Sequence, residues 1–161
     1  MTDALQPLLP KIENKIRTVM TAQRLPGIAV GIVRDQQLAW ARGLGFADIA
    51  SERAPDSVTL FRCGSITKTF TATAIMQLRD EGKLFLDDPI VRYIPEFNSV
   101  RMHLGRLEDV TLRRLLSHHS GLMGEGPAAG WNTGIFPGID QMVADLARAE
   151  VVIGQHSAFK Y

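Results

Sequence analysis

At 161 residues the chain is about one domain long, and its 45% hydrophobic and 22% charged residues exclude an intrinsically disordered chain. A net charge of +1 without a basic run excludes an electrostatic footprint for nucleic acid, and a single cysteine, Cys63, excludes an internal disulfide framework. No apolar stretch reaches the roughly 18 residues of a membrane helix, and Met1-Thr2-Asp3-Ala4 lacks the basic start and apolar core of a signal peptide, so the expectation is a cytoplasmic globular protein, or a periplasmic one if a leader has been trimmed.

Leu5, Leu8, Leu9, Ile12, Ile16, Val19 and Met20 recur at helical spacing, with Lys11, Glu13, Asn14, Lys15 and Arg17 on the wetter side. The continuous helix is expected from about Pro10, because proline suits only the first turn, and Pro26-Gly27 ends the pattern. Two apolar runs, residues 28–33 and 38–46, flank the polar Arg34-Asp35-Gln36-Gln37 and read as an antiparallel hairpin. The first run is apolar at both alternations, which predicts a sheet covered on both faces. Residues 47–60 are polar and irregular.

The segment from Ser65 carries two conflicting signals. Thr67, Thr69, Thr71 and Thr73 alternate as in a strand, whereas Ile66, Phe70, Ala74 and Leu78 recur every fourth residue, with Ile75 beside them. A serine able to cap at the start and Gly82 at the end favour a helix over residues 65–81. Leu84-Phe85-Leu86 is strand-like and Asp87-Asp88-Pro89 marks a turn without a catalytic role, as does Tyr93-Ile94-Pro95. Residues 111–118 read as a short helix with Leu112, Leu115 and Leu116 inward, ended by Ser120-Gly121. Six glycines and two prolines make residues 121–138 a loop. Residues 139–149 are amphipathic and helical, and residues 150–161 extended or irregular.

Ser65-Ile66-Thr67-Lys68 is the central chemical candidate. A serine hydroxyl becomes a useful nucleophile only when a neighbouring base takes its proton, and helix positions i and i+3 share a face about 5–6 Å apart at Cβ. Lys68 therefore reaches back toward the Ser65 oxygen, where the start of a helix favours developing negative charge. A desolvated amine there serves as a base near neutrality. The spacing is short enough to arise by chance, and Ser157-Ala158-Phe159-Lys160 repeats it without a following helix. His118-His119 lacks a third ligand for a metal, and Gly43-Leu44-Gly45 lacks the third glycine of a dinucleotide loop. Cys63 and Thr67 stand where the nucleophile elbow of an α/β-hydrolase needs glycines.

The wider context is more specific. Phe61-Arg62-Cys63-Gly64-Ser65-Ile66-Thr67-Lys68-Thr69-Phe70-Thr71-Ala72, continuing through Leu78-Arg79-Asp80-Glu81-Gly82-Lys83-Leu84 to Asp87-Asp88-Pro89, resembles the serine β-lactamase and penicillin-binding-protein-like superfamily. The likeness is greatest to the class C β-lactamases and the esterases and D-amino-acid peptidases that share their fold. Val110-Thr111-Leu112-Arg113-Arg114-Leu115-Leu116-Ser117-His118-His119-Ser120-Gly121-Leu122 is similar to that superfamily's next signature, at a helix–loop junction.

The resemblance implies an α/β (α+β) fold with an antiparallel sheet flanked by helices plus a helical region. It also implies that residues 1–161 are the N-terminal portion of a single β-lactamase-like domain. Within it, residues 10–60 would form a helix and sheet hairpin, and residues 61–161 the nucleophile helix and helical region. Such proteins run to roughly twice this length or more. The remainder would supply further strands and a Lys-Thr-Gly or His-X-Gly strand giving one of two oxyanion-hole N–H groups, a donor typically worth about 10²–10³ in rate. The chain alone is then expected to be an incomplete enzyme, and its uncovered hairpin edge implies self-association or a second chain that completes the sheet.

The resemblance further implies a serine hydrolase acting through an acyl-enzyme on Ser65, with Lys68 and Tyr161 sharing the proton transfers. Tyr161 is assigned because Phe159-Lys160-Tyr161 matches the start of a motif in which the catalytic tyrosine follows an aromatic residue by two positions. A small-molecule ester or amide is the expected substrate, with no metal or organic cofactor. Without a signal peptide a carboxylesterase is favoured over a β-lactamase or a D-amino-acid peptidase. A catalytically silent peptide-binding protein on the same fold is the alternative from another class. Trp131 and Phe136 are candidates to line an acyl pocket, and Cys63 is expected to be a buried, inert thiol.

Overall fold

The computed structural model describes residues 5–124, 134, 136–155 and 157–161. It divides into two compact units, residues 1–63 and 64–161.

In the first unit a 3₁₀ turn, Gln6–Leu8, leads into helix α1, Leu9–Gln23. Pro10 falls in the first helical turn, where its missing N–H costs nothing. Leu9, Ile12, Ile16 and Met20 are partly buried, while Leu8 and Val19 face outward. Strands β1, Gly27–Arg34, and β2, Gln37–Gly45, pair antiparallel with Arg34 opposite Gln37. Asp35 and Gln36 both adopt positive φ, 49° and 62°, as a two-residue hairpin turn requires to match strand twist. A bulge between Ile32 and Val33 shifts the register near that turn.

The sheet is not covered on both faces as the apolar run predicts. Ile28, Val30 and Ile32 are half-buried on one face, and Val33 on the other face is 67% exposed. The apolar alternation measured the hydrophobicity of β1, not the presence of a second layer.

The second unit opens with a 3₁₀ turn, Gly64–Ile66, and helix α2, Thr67–Asp80. The helical reading of this segment holds, but the cap does not. Ile66 is the N-cap, without a side-chain hydrogen bond, and Ser65 lies in the preceding turn that Gly64 enters at φ +52°. The threonines conform to the helix by bonding backward. The hydroxyls of Thr69 and Thr73 donate to the carbonyls of Ile66 and Thr69 at 2.7 and 2.9 Å. Gly82, at φ +70°, closes the helix. Its N–H donates to the Arg79 carbonyl at 2.9 Å, and that of Lys83 to the Leu78 carbonyl at 2.9 Å, the paired bonds of a Schellman motif.

Leu84-Phe85-Leu86 forms no strand. The Asp88 carboxylate accepts the Phe85 N–H at 3.2 Å, and the Asp88 N–H donates to the Phe85 carbonyl at 3.1 Å, which bends the segment into a turn. Asp88 also accepts from Arg92 at 3.1 Å and from the Tyr93 hydroxyl. The turn is fastened to the next signature through Asp87, which receives two hydrogen bonds from Arg113 at 2.7 and 2.9 Å, and through the Ile90 N–H, which donates to the Val110 carbonyl at 2.9 Å.

Two short segments absent from the sequence reading, β3 (Arg101–Met102) and β4 (Glu150–Val151), pair in parallel. Around them Leu84, Ile90, Phe97, Val100, Val110, Leu112, Ala149 and Val151 form the core. The α2 residues Ile75 and Leu78 pack against it, whereas Phe70 is 68% exposed, so only the later half of the predicted stripe faces inward. Helix α4 covers Ile139–Ala144 and tightens to a 3₁₀ turn over Asp145–Arg148, shorter than the expected 139–149. Among the described residues no helix is long and apolar enough to cross a membrane.

Helix α3, Leu112–Leu116, is shorter than the predicted 111–118 and begins at Thr111, whose hydroxyl accepts the Arg114 N–H at 3.3 Å. Replacing Thr111 with alanine removes that capping hydrogen bond and is expected to cost about 1 kcal/mol. Thermal unfolding should show a fall in midpoint of roughly 2–4 °C, and Thr111→Ser should restore it. The helix closes before Ser120-Gly121, because His118 adopts the left-handed conformation at φ +60°. Gly121 is required for another reason. At φ +78°, a Cβ there would lie 1.9 Å from the Ile153 carbonyl oxygen.

Candidate active site

Three side chains converge at the start of α2. Ser65 is presented by the 3₁₀ turn, and Lys68 follows in the first turn of α2, its Nζ donating to the Ser65 Oγ at 3.3 Å. Tyr161 comes from the far end of the chain, and its phenol also donates to the Ser65 Oγ. The Lys68 ammonium lies 4.8 Å from the centroid of the Tyr161 ring, within cation–π range. All three residues predicted from the sequence are therefore in one place, with Ser65 Oγ as their common point.

The environment is open. Ser65 and Lys68 are exposed and Tyr161 is 57% exposed. What polarises the site is mutual contact. The Tyr161 phenol is held below the ordinary tyrosine value, first by its hydrogen bond with the Ser65 hydroxyl and then by the hydrogen bond and charge of Lys68. On ionisation of the phenol the Ser65 hydroxyl becomes the donor and the phenolate oxygen the acceptor. A serine hydroxyl donating to a phenolate is an arrangement from which a proton can pass from serine to tyrosine.

Tyr161 is placed by contacts the sequence reading did not foresee. The Lys160 N–H donates to the His118 carbonyl at 2.8 Å. The His118 ring lies 4.8 Å from the Tyr161 ring and 5.4 Å from that of Phe159. The only available signal was the position of His118-His119 at the end of a leucine-rich helix.

Cys63 is exposed, not buried. Ser157, in the second serine–lysine spacing, donates to the Gly154 carbonyl within a turn. Phe136 is 49% exposed, and Trp131 lies outside the described residues. Among the described residues no group of three or more His, Cys, Asp or Glu side chains could hold a metal ion.

A family model described as Beta-lactamase matches residues 12–161. The chain is 37% identical over 120 residues to Serine beta-lactamase-like protein LACTB, mitochondrial, of Bos taurus, covering 74% of this chain and 20% of that protein. It is 34% identical over 143 residues to Esterase EstB of Burkholderia gladioli, covering 86% of this chain and 36% of that one. The solved octameric penicillin-binding protein homologue from Pyrococcus abyssi superposes with a TM-score of 0.76 at 29% identity, over 95% of this chain and 35% of that one. The chain thus spans between about a fifth and two fifths of the length of these proteins.

Proposed function

The chain belongs to the beta-lactamase family of serine hydrolases, and we propose that it supplies the nucleophile and proton-transfer groups of a carboxylesterase, with Ser65 as the acylated residue. The observation that carries this reading is the convergence of Lys68 Nζ and the Tyr161 phenol on one oxygen, Ser65 Oγ.

In the first step Ser65 Oγ forms a bond to the ester carbonyl carbon while its proton passes to the Tyr161 oxygen, whose basic form Lys68 stabilises. Collapse breaks the bond to the leaving alkoxide, which takes a proton from Tyr161 or Lys68 and departs as an alcohol. Water then attacks the acyl carbon of the Ser65 ester with the same groups acting in reverse, releasing the acid and restoring the hydroxyl. No step calls for a metal or an organic cofactor. An ester is favoured over a β-lactam by the similarity to EstB over 86% of the chain.

Intact-protein mass after incubation with a fluorophosphonate tests the nucleophile. One adduct is expected, mapped by peptide fragmentation to Ser65. An adduct at any other residue overturns the assignment, and its absence means that the site does not acylate in this chain. Parallel turnover of a short-chain aryl ester and a chromogenic cephalosporin tests the substrate class. Faster cephalosporin hydrolysis would make a β-lactamase the better reading.

A further inference from the structure

Helix α3 ends in a backbone corner that reaches the site. The His118 N–H donates to the Leu115 carbonyl at 3.2 Å and the His119 N–H to the Arg114 carbonyl at 2.8 Å, a Schellman closure with histidine where glycine is usual. A non-glycine residue at φ +60° is disfavoured and persists only where the surroundings hold it. The surroundings here are the segment that carries Tyr161. One residue, His118, touches all three of its members: its carbonyl accepts the Lys160 N–H, and its ring meets Phe159 at 73° and Tyr161 at 44° between planes.

His119 also packs edge-on with Phe159, its ring centroid 5.9 Å away. That ring is itself fixed, because the Ser117 carbonyl, which can only accept, lies 2.7 Å from His119 Nδ1. Tyr161 is more than half exposed, so little burial holds its ring over Ser65. Sequence separation makes the point sharper, since 96 residues part Ser65 from Tyr161 and the corner lies between them.

We propose that His118 is a positioning residue, whose left-handed corner and ring together register Phe159-Lys160-Tyr161 so that the phenol meets Ser65. This rests on the reading of Tyr161 as a proton-transfer group. Among the described residues, the charged or titratable groups facing that phenol are Lys68 and Ser65 at the start of α2 and His118 just beyond α3, with Lys160 adjacent in sequence.

Two variants remove the ring and keep the corner. His118→Gly keeps the left-handed corner and removes the ring, and His118→Asn does so with a residue that tolerates the conformation. Both should stay folded by circular dichroism, with a thermal midpoint at or above that of the parent for the glycine. Loss of the ring should slow fluorophosphonate labelling of Ser65 at least tenfold. It should also move the Tyr161 phenolate transition, followed by absorbance near 295 nm and assigned with Tyr161→Phe, up toward the ordinary value of about 10. An unmoved transition in either folded variant overturns the positioning role. A transition that moves in a parent that never labels at Ser65 keeps the positioning role and fails the hydrolase reading instead.

Discussion

Replacing Ser65 with alanine is expected to abolish covalent labelling and to lower ester hydrolysis by on the order of 10⁴–10⁶-fold, to the background rate. The oxygen removed is the one atom on which Lys68 and Tyr161 both converge. The fold should not suffer. Ser65 is exposed and caps no helix, because Ile66 holds that position, and surface changes of this kind usually fall within about 0.5 kcal/mol. The comparison is made by intact mass and initial rate on parent and variant at matched thermal midpoints. Cys63 is exposed two residues away in sequence and should be blocked with iodoacetamide in both samples. Activity that survives in Ser65→Ala assigns the chemistry to another residue.

The helices of this chain were legible where periodicity and punctuation agreed. In α2 the four-residue recurrence ending at Gly82 outweighed the alternating threonines, and the structure supplies the reason: a threonine hydroxyl bonded to the preceding turn relieves the conflict between β-branching and helix. Boundaries were less legible. Ser65 has the composition of a cap but sits one residue before the N-cap Ile66, because Gly64 permits a 3₁₀ entry that no spacing rule reveals. Leu84-Phe85-Leu86 has the composition of a strand, yet the Asp88 carboxylate takes the Phe85 N–H and turns the chain. Strands β3 and β4 have two residues each and lie 49 positions apart at Arg101 and Glu150, too short and too distant for any local pattern.

The candidate site divides the same way. Ser65 and Lys68 are three residues apart on one helical face, so their approach follows from local geometry. Tyr161 came from resemblance alone, since nothing in composition or periodicity brings residue 161 to residue 65. His118 was read only as part of a junction. Its role depends on a backbone angle and on ring contacts with residues 41 to 43 positions away, neither of which leaves a pattern in one sequence. Cys63 was misread because the preference of free thiols for burial describes an average, and this one stands beside the Gly64 turn.

Replacing Tyr161 with phenylalanine is expected to slow Ser65 acylation by about 10²–10⁴-fold and to remove most of its pH dependence below pH 10. The sign follows from what lowers the phenol. The Ser65 hydroxyl and the Lys68 ammonium both favour the phenolate, so the basic form is reached at lower pH than in an ordinary tyrosine. If that phenolate takes the serine proton, the rate rises with pH and levels off above a midpoint lying under about 10. Lys68→Met removes the second and third causes of the lowering but leaves the first, so the midpoint should move upward without reaching the flat profile of Tyr161→Phe. The deficit of Lys68→Met is then largest near neutrality and shrinks at alkaline pH. Tyr93, the other tyrosine of the chain, is displaced in the opposite direction because its hydroxyl already donates to the Asp88 carboxylate. Its phenolate appears later in the titration than that of Tyr161. Stopped-flow labelling across pH 6–11 reads all three proteins. A midpoint that Lys68→Met leaves unmoved would show that the lysine does not set the basicity of the tyrosine, and a Tyr161→Phe profile that still rises would assign the base to Lys68 alone.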